Sequence, residues 1–288
     1  MPEMLQLSST EVLYVLPRGG ASFKRAFTRL NESSLPELDA CAQRWPQENR
    51  AVVNLIRTQM KAQPQSAHWL ACETAFFADL PAATAEYALP AVLSEQGLRR
   101  YGADGIFHSW VAHQFAQEER LVSIHLAANT TLAAIRTGQA LDASAGYSLL
   151  EGLPGLTTCG DIDPSLVLLL AEQGLATDEI ARMLYRQSGW QALAKKEFPL
   201  AELISGKEPG LEVARAMFFA GLVKGIGAAL TVLGGADLIV CGAEEITLSD
   251  GLTKQIGRHF AFAGIKTQSA QVERGRILRE AFSQRNMD

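Results

Sequence analysis

Leu121-Val122-Ser123-Ile124-His125-Leu126 opens a series of short apolar segments that continues through residues 131–135 and 140–144. Only Ala127 to Thr130 and Arg136-Thr137-Gly138-Gln139 separate them. Apolar runs this short, joined by tight turns, predict an antiparallel β-meander. Leu150-Glu151-Gly152-Leu153 follows, then Gly160-Asp161-Ile162-Asp163-Pro164. Asp163 supplies a side-chain acceptor for the first free N–H groups of a helix, and Pro164 suits its first position. That helix is expected to stop at Gly174.

Downstream, Thr177 is read as the cap of another helix, with Asp178 and Glu179 favourable in its first turn. Residues 212–233 predict a long helix ending at Gly234-Gly235, and 237–241 a short buried strand. Residues 242–248 are read as a loop. Asp250 is expected to cap a helix reaching about Phe262, and 271–282 to form a charged helix at the surface or an interface. Upstream, 13–16 reads as a strand closed by Pro17-Arg18-Gly19-Gly20. Residues 35–44 and 49–61 read as amphipathic helices and 70–74 as a strand. Residues 89–102 suggest a helix ending in a turn, and 107–118 a helix carrying His108 and His113. Strands interleaved with helices indicate an α/β protein with covered sheets.

The 288 residues are 48% apolar and 20% charged, with both signs mixed. This is a folded composition with room for one large domain or two modest ones. A net charge of -5 without a basic stripe argues against nucleic-acid binding, which needs cations to displace phosphate counterions. Residues 216–235 are apolar but contain Lys224 and five glycines. They read as a buried helix rather than a membrane span. Cys41, Cys72, Cys159 and Cys241 form no C-x-x-C pair and are expected to be reduced thiols. The opening MPEMLQLSSTEV has no signal-peptide pattern, so a cytoplasmic location is expected.

Six collinear stretches carry a family resemblance. They are Thr74-Ala75-Phe76 with Tyr87-Ala88-Leu89-Pro90; Arg99-Arg100-Tyr101-Gly102 with Gly105 and His108; His125-Leu126; Leu150 to Leu153 with Gly160 to Pro164; Lys224 with Ile226-Gly227; and Ala236-Asp237 with Ile239-Val240 and Gly264-Ile265. Together they resemble the acetate kinase family, whose members move phosphate between ATP and a small carboxylic acid. The resemblance implies the α/β two-domain fold shared by acetate and sugar kinases, Hsp70 and actin, here with a truncated N-terminal domain over 1–78 and a C-terminal domain over 79–288. It also implies a homodimer through the C-terminal domain. Loss of the first strands is expected to expose a sheet edge that a partner, a second copy or a local helix covers.

The family's catalytic positions are held by different residues. Val15 stands at the substrate-binding arginine, Glu48 at a histidine and Glu73 at an aspartate. Asp104 replaces the histidine that contacts the transferring phosphoryl, and Thr158 the arginine that stabilises the transition state. The family's G-N-G turn reads Ala127-Ala128-Asn129, and its G-G-I-G-E-N loop reads Gly242-Ala243-Glu244-Glu245-Ile246. The family's C-terminal strand and its glutamate are expected to be absent. The cleft candidates for nucleotide contact are His125, Ala128, Asn129, Asp161, Gly242 and Glu244.

Phosphoryl transfer to a carboxylate depends on positioning and charge stabilisation. Losing a single preorganised donor commonly lowers the rate by about 10²–10³. A carboxylate about 4 Å from a phosphate adds repulsion of about 4 kcal/mol at an effective dielectric of 20. The leading expectation is therefore a relative without phosphotransfer, serving a binding, regulatory or scaffolding role, with a protein partner. The alternative is a divergent Mg-ATP-dependent kinase of acetate or another small carboxylic acid, drawing on Arg18, Arg99 or Arg100 for charge. A third reading uses Glu48, Glu73 and Asp104 for other chemistry, including a metal site built from Glu73, Asp104 and Asp161.

Overall fold

The computed structural model describes residues 4–243, 250–271 and 273–285. In its first sheet, β1 (Met4–Ser8), β2 (Glu11–Leu16), β3 (Phe27–Arg29) and β4 (Ala67–Cys72) lie in the order β1-β2-β4-β3. In the second, β5 (Arg120–His125), β6 (Thr131–Arg136), β7 (Gln139–Ala143), β8 (Leu238–Ala243) and β9 (Lys266–Gln271) lie in the order β7-β6-β5-β8-β9. The predicted meander is β5-β6-β7, antiparallel throughout, while β8 and β9 add parallel to β5.

The helices are α1 (Leu35–Arg44), α2 (Pro46–Ala62), α3 (Ala82–Ala85), α4 (Ala91–Glu95), α5 (Gly105–Gln114) and α6 (Pro164–Glu172). They continue with α7 (Thr177–Arg186), α8 (Gly189–Ala194), α9 (Leu200–Ser205), α10 (Glu212–Leu233), α11 (Asp250–His259) and α12 (Arg274–Gln284). Asp163 caps α6 as expected, accepting from the Ser165 N–H at 2.8 Å.

Strand alternation sorts the apolar side chains into three cores. Val12, Tyr14, Leu16 and Leu70 pack on α1 and α2 through Leu38, Val52 and Ile56. Leu13, Val15 and Ala71, on the opposite face, share a core with Leu121, Ile135 and Val240 of the second sheet. That shared core takes Phe107 and Val111 from α5 and Ile277, Leu278 and Phe282 from α12. The far face of the second sheet, with Val122, Ile124 and Ile239, packs on Phe218, Leu222 and Ile226 of α10. Strands β5 and β8 are buried on both faces, which is why they read as nearly continuous apolar runs.

Several sequence expectations are corrected. Strand β9 lies in a stretch for which the sequence predicts no element. The last helix begins at Arg274 and is not merely superficial: its Ile277, Leu278 and Phe282 are buried. The long helix α10 is buried on one side only, since Val213, Met217 and Val232 are exposed. The cap of α7 falls at Ala176 rather than Thr177, because the Glu179 carboxylate accepts the Ala176 N–H at 3.1 Å. The expected helix over 89–102 shrinks to α4, with Arg99 bridged to Glu86. Gly242 and Ala243 belong to β8, not to a loop. Residues 244–249, Glu244 among them, and the side chain of Asp250 lie outside the described residues. At the edge strand β1, Arg279 of α12 donates to the Gln6 carbonyl at 3.2 Å, while Met4, Gln6 and Ser8 are exposed. The local helix therefore covers part of this edge.

Candidate functional site

The carboxyl ends of parallel strands are where open α/β sheets gather ligands. Here Arg18 and Glu73 lie just beyond the carboxyl ends of β2 and β4, and His125 and Gly242 at those of β5 and β8.

Arg18 follows β2 and is fully buried. Its Nε donates to Glu48, which sits in the first turn of α2, and the pair is almost solvent-free. Its Nη1 donates to the carbonyl of Gly102 and, at 3.4 Å, to that of Gly146. The other Glu48 oxygen accepts from the Leu149 N–H at 3.3 Å and the Tyr185 hydroxyl at 3.0 Å. Burial, and then the Glu48 charge, push the Tyr185 hydroxyl well above the usual phenol range, so it remains a donor. This cluster ties the first sheet to the segments around the second. Arg18 is thus not a free cation in the cleft. Tyr185 was missed by sequence reasoning, because nothing local marks a tyrosine on α7 as part of this cluster.

Glu73, at the end of β4, is also buried. One oxygen accepts the Ile106 N–H at 3.0 Å and the other pairs with Arg274 of α12. Arg274 is a second residue missed by sequence reasoning, since its partner lies about two hundred positions away. Val15 points into the core shared by the sheets.

Asp104 precedes α5 in a left-handed conformation, φ 54°, which aspartate tolerates better than most residues. Its Oδ2 lies 3.1 Å from His125 Nδ1 and accepts from Thr131 Oγ1 at 2.7 Å. Burial alone would raise the Asp104 carboxyl. The His125 charge and hydrogen bond, with the Thr131 hydroxyl, outweigh burial and hold it well below the usual carboxylate range. His108 is buried beside them, with Nδ1 2.8 Å from Ser123 Oγ and Nε2 3.1 Å from Thr131 Oγ1. Phe107 stacks on His125 at 4.4 Å between centroids.

Thr158 donates to Asn129 Oδ1 at 2.6 Å and accepts the Gly155 N–H at 3.0 Å. The Ala128 carbonyl accepts the Leu156 N–H at 2.7 Å. Asp161 is exposed and closes a turn, with Oδ1 accepting the Gly152 N–H at 2.7 Å and its own N–H donating to the Gly152 carbonyl at 2.9 Å. A Cβ at Gly242 would run into the Phe107 ring, so this glycine makes room for an aromatic side chain.

The structure therefore brings Asp104 and His125 together, and Asn129 and Thr158 together. It places Glu48 with Arg18, and Glu73 with Arg274. It does not unite Glu73, Asp104 and Asp161, whose carboxylates have separate protein partners, so the three-carboxylate metal site is overturned. Among the described residues no three His, Cys, Asp or Glu side chains are grouped to hold a metal ion. Nor do these groups suit the phosphates of Mg-ATP. Arg18 is neutralised by Glu48, Asp104 is an anion, and the Asn129 and Thr158 polar atoms bond each other.

The pattern of the Acetokinase family matches residues 7–285. The acetate kinase of Limosilactobacillus fermentum is 29% identical over 269 residues, covering 89% of this chain and 67% of that protein. The acetate kinase of Sulfurimonas denitrificans is 32% identical over 265 residues, covering 89% and 68%. For that of Thermosynechococcus vestitus the figures are 29% over 268 residues, 89% and 64%. The chain thus spans about two thirds of the length of these curated relatives. A propionate kinase structure from Francisella tularensis superposes with a TM-score of 0.81 at 24% identity, covering 92% of this chain and 77% of that one. The acetate kinase structure from Entamoeba histolytica gives 0.82 at 21%, covering 94% and 79%. At these identities the structures establish the shared fold, that of acetate and propionate kinases.

Proposed function

The chain belongs to the acetokinase family, and from that premise we propose that it is a binding or regulatory relative that does not transfer phosphate between ATP and a small carboxylic acid. The observation that carries this reading is the buried Arg18–Glu48 pair, whose remaining hydrogen bonds join Gly102, Leu149 and Tyr185. Charge that would meet a phosphoryl group is used to hold protein segments together. Thr158 and Asp104 lack the cationic donors such chemistry needs. The four cysteines are free thiols, in keeping with a reducing cytoplasm.

Calorimetric titration with Mg-ATP and Mg-ADP tests the reading, alongside phosphotransfer assays on acetate and propionate. No heat at millimolar nucleotide and no turnover are expected. Micromolar binding with turnover would replace it with the divergent small-carboxylate kinase.

The same reading includes a homodimer. Val213, Ala216, Met217 and Ala220 form an exposed apolar patch on the first half of α10, a surface suited to a self-complementary contact. Light scattering should give a dimeric mass for the native chain and a monomeric mass for Met217→Glu. A native monomer at high micromolar concentration would refute the assignment.

A further inference from the structure

A second cavity, of about 880 Å³, opens away from the Arg18–Glu48 cluster, between β3, α5 and the end of α12. Its size falls within the range of small-molecule sites, roughly 300–1,000 Å³. Phe27, Trp69, Phe76 and Trp110 supply apolar and aromatic walls. Arg25, Arg29 and Arg285 line it together with one carboxylate, that of Glu280, and Arg285 also lies 4.0 Å from the Glu11 carboxylate behind the wall. Both oxygens of Glu280 are already engaged, one by Arg276 Nε at 2.7 Å and one by Trp110 Nε1 at 3.2 Å. Arg276 offsets its charge, so the cavity presents a net positive field.

Two donors beside the cavity wall lack partners. Trp69 Nε1 and Arg285 Nε are buried and have no hydrogen-bond partner among the described residues. Buried donors are normally satisfied, and leaving one unpaired costs about 1–3 kcal/mol. The Arg285 guanidinium is held in place by its rings, 3.6 Å from the Phe282 centroid and 4.7 Å from that of Trp69. A guanidinium immobilised on aromatic faces beside an indole N–H is suited to a planar anion.

We propose that this cavity binds an organic carboxylate with an aromatic body, the head meeting Arg29 and Arg285 and the body lying against Trp69 and Trp110. The proposal stands apart from the loss of phosphotransfer, because the cavity shares no residue with the Arg18–Glu48 cluster.

The test is calorimetric titration of the full chain with 2-naphthoate, with quenching of tryptophan fluorescence as a second readout. Neutral 2-naphthamide is the control, and octanoate asks whether an acyl body serves as well. Saturable 2-naphthoate binding is expected, with the amide at least about tenfold weaker, since only the carboxylate makes charge-assisted bonds. Octanoate should bind more weakly than 2-naphthoate. Arg29→Glu changes an exposed residue and should leave melting unaltered while weakening 2-naphthoate tenfold or more. Trp110→Leu should weaken it without altering the preference for the charged form. Absence of saturable binding, equal affinity for acid and amide, or an unaffected Arg29→Glu variant would each overturn the proposal. Octanoate binding tighter than 2-naphthoate would overturn its aromatic assignment.

Discussion

Arg18→Ala should destabilise the fold by about 3–5 kcal/mol, the usual cost of removing one partner from a buried ion pair. The reason is what stays behind. Glu48 would keep its charge in a site where it is almost without solvent, with only Leu149 N–H and the Tyr185 hydroxyl to compensate. The carbonyls of Gly102 and Gly146 would lose a donor as well. For a chain of this size the melting temperature should fall by roughly 10 °C. Arg18→Met combined with Glu48→Leu removes both charges at similar volume. The double variant should be more stable than either single variant, because buried pairs often exchange for apolar groups at little cost. Urea unfolding of the two single variants and the double variant measures this. A loss below about 1 kcal/mol for Arg18→Ala would show that the pair does not hold the segments together, and would weaken the functional reading built on it.

Acid should expose the second large effect. Burial pushes the His108 imidazole down to about 3, opposed by the Asp104 charge and assisted by that of His125. In the unfolded chain histidine titrates near 6.5. As pH falls below that value the unfolded state takes up a proton that the folded state refuses. Stability from this residue is therefore complete above about pH 6.5 and drains away as pH falls towards 3. At about 1.4 kcal/mol per pH unit, the loss between pH 7 and pH 5 should be about 2 kcal/mol. Asp104 also has a lowered value, but it titrates against an unfolded carboxylate near 4, so its contribution is lost below this window. His108→Gln keeps a polar side chain facing Ser123 and Thr131 and has no proton to gain. Urea midpoints at pH 7 and pH 5 should fall further for the native chain than for this variant. Parallel losses would mean that His108 is not the buried neutral group responsible.

The two effects depend on different levels of organisation. His108 lies on a helix that was legible from sequence, but its acid sensitivity is a property of burial against Ser123 and Thr131. Arg18 ended a readable strand, yet its local surroundings could equally have left it in the cleft as a free cation. The site was legible where chemistry is a matter of residue type: a threonine at 158 and an aspartate at 104 cannot act as guanidinium or imidazole wherever they sit. It was illegible where the answer depended on who comes near. Glu73 belongs to Arg274, and Gly242 to the ring of Phe107, through contacts that no local pattern announces. The cavity beneath Trp69 and Arg285 was equally hidden, because its walls come from four distant parts of the chain.

Sequence by itself determined the β5-β6-β7 meander, the helix at Pro164 and the family, since turn chemistry, capping and apolar periodicity are local interactions between near neighbours. It also determined that positions 104 and 158 carry an aspartate and a threonine, because side-chain chemistry travels with the residue. Only the tertiary structure decided that α12 is wedged between the sheets, that α10 is open along one face and that Arg18 is committed to Glu48. Burial and ion pairing are settled by the packing of distant segments, and their free energies exist only once those segments have met.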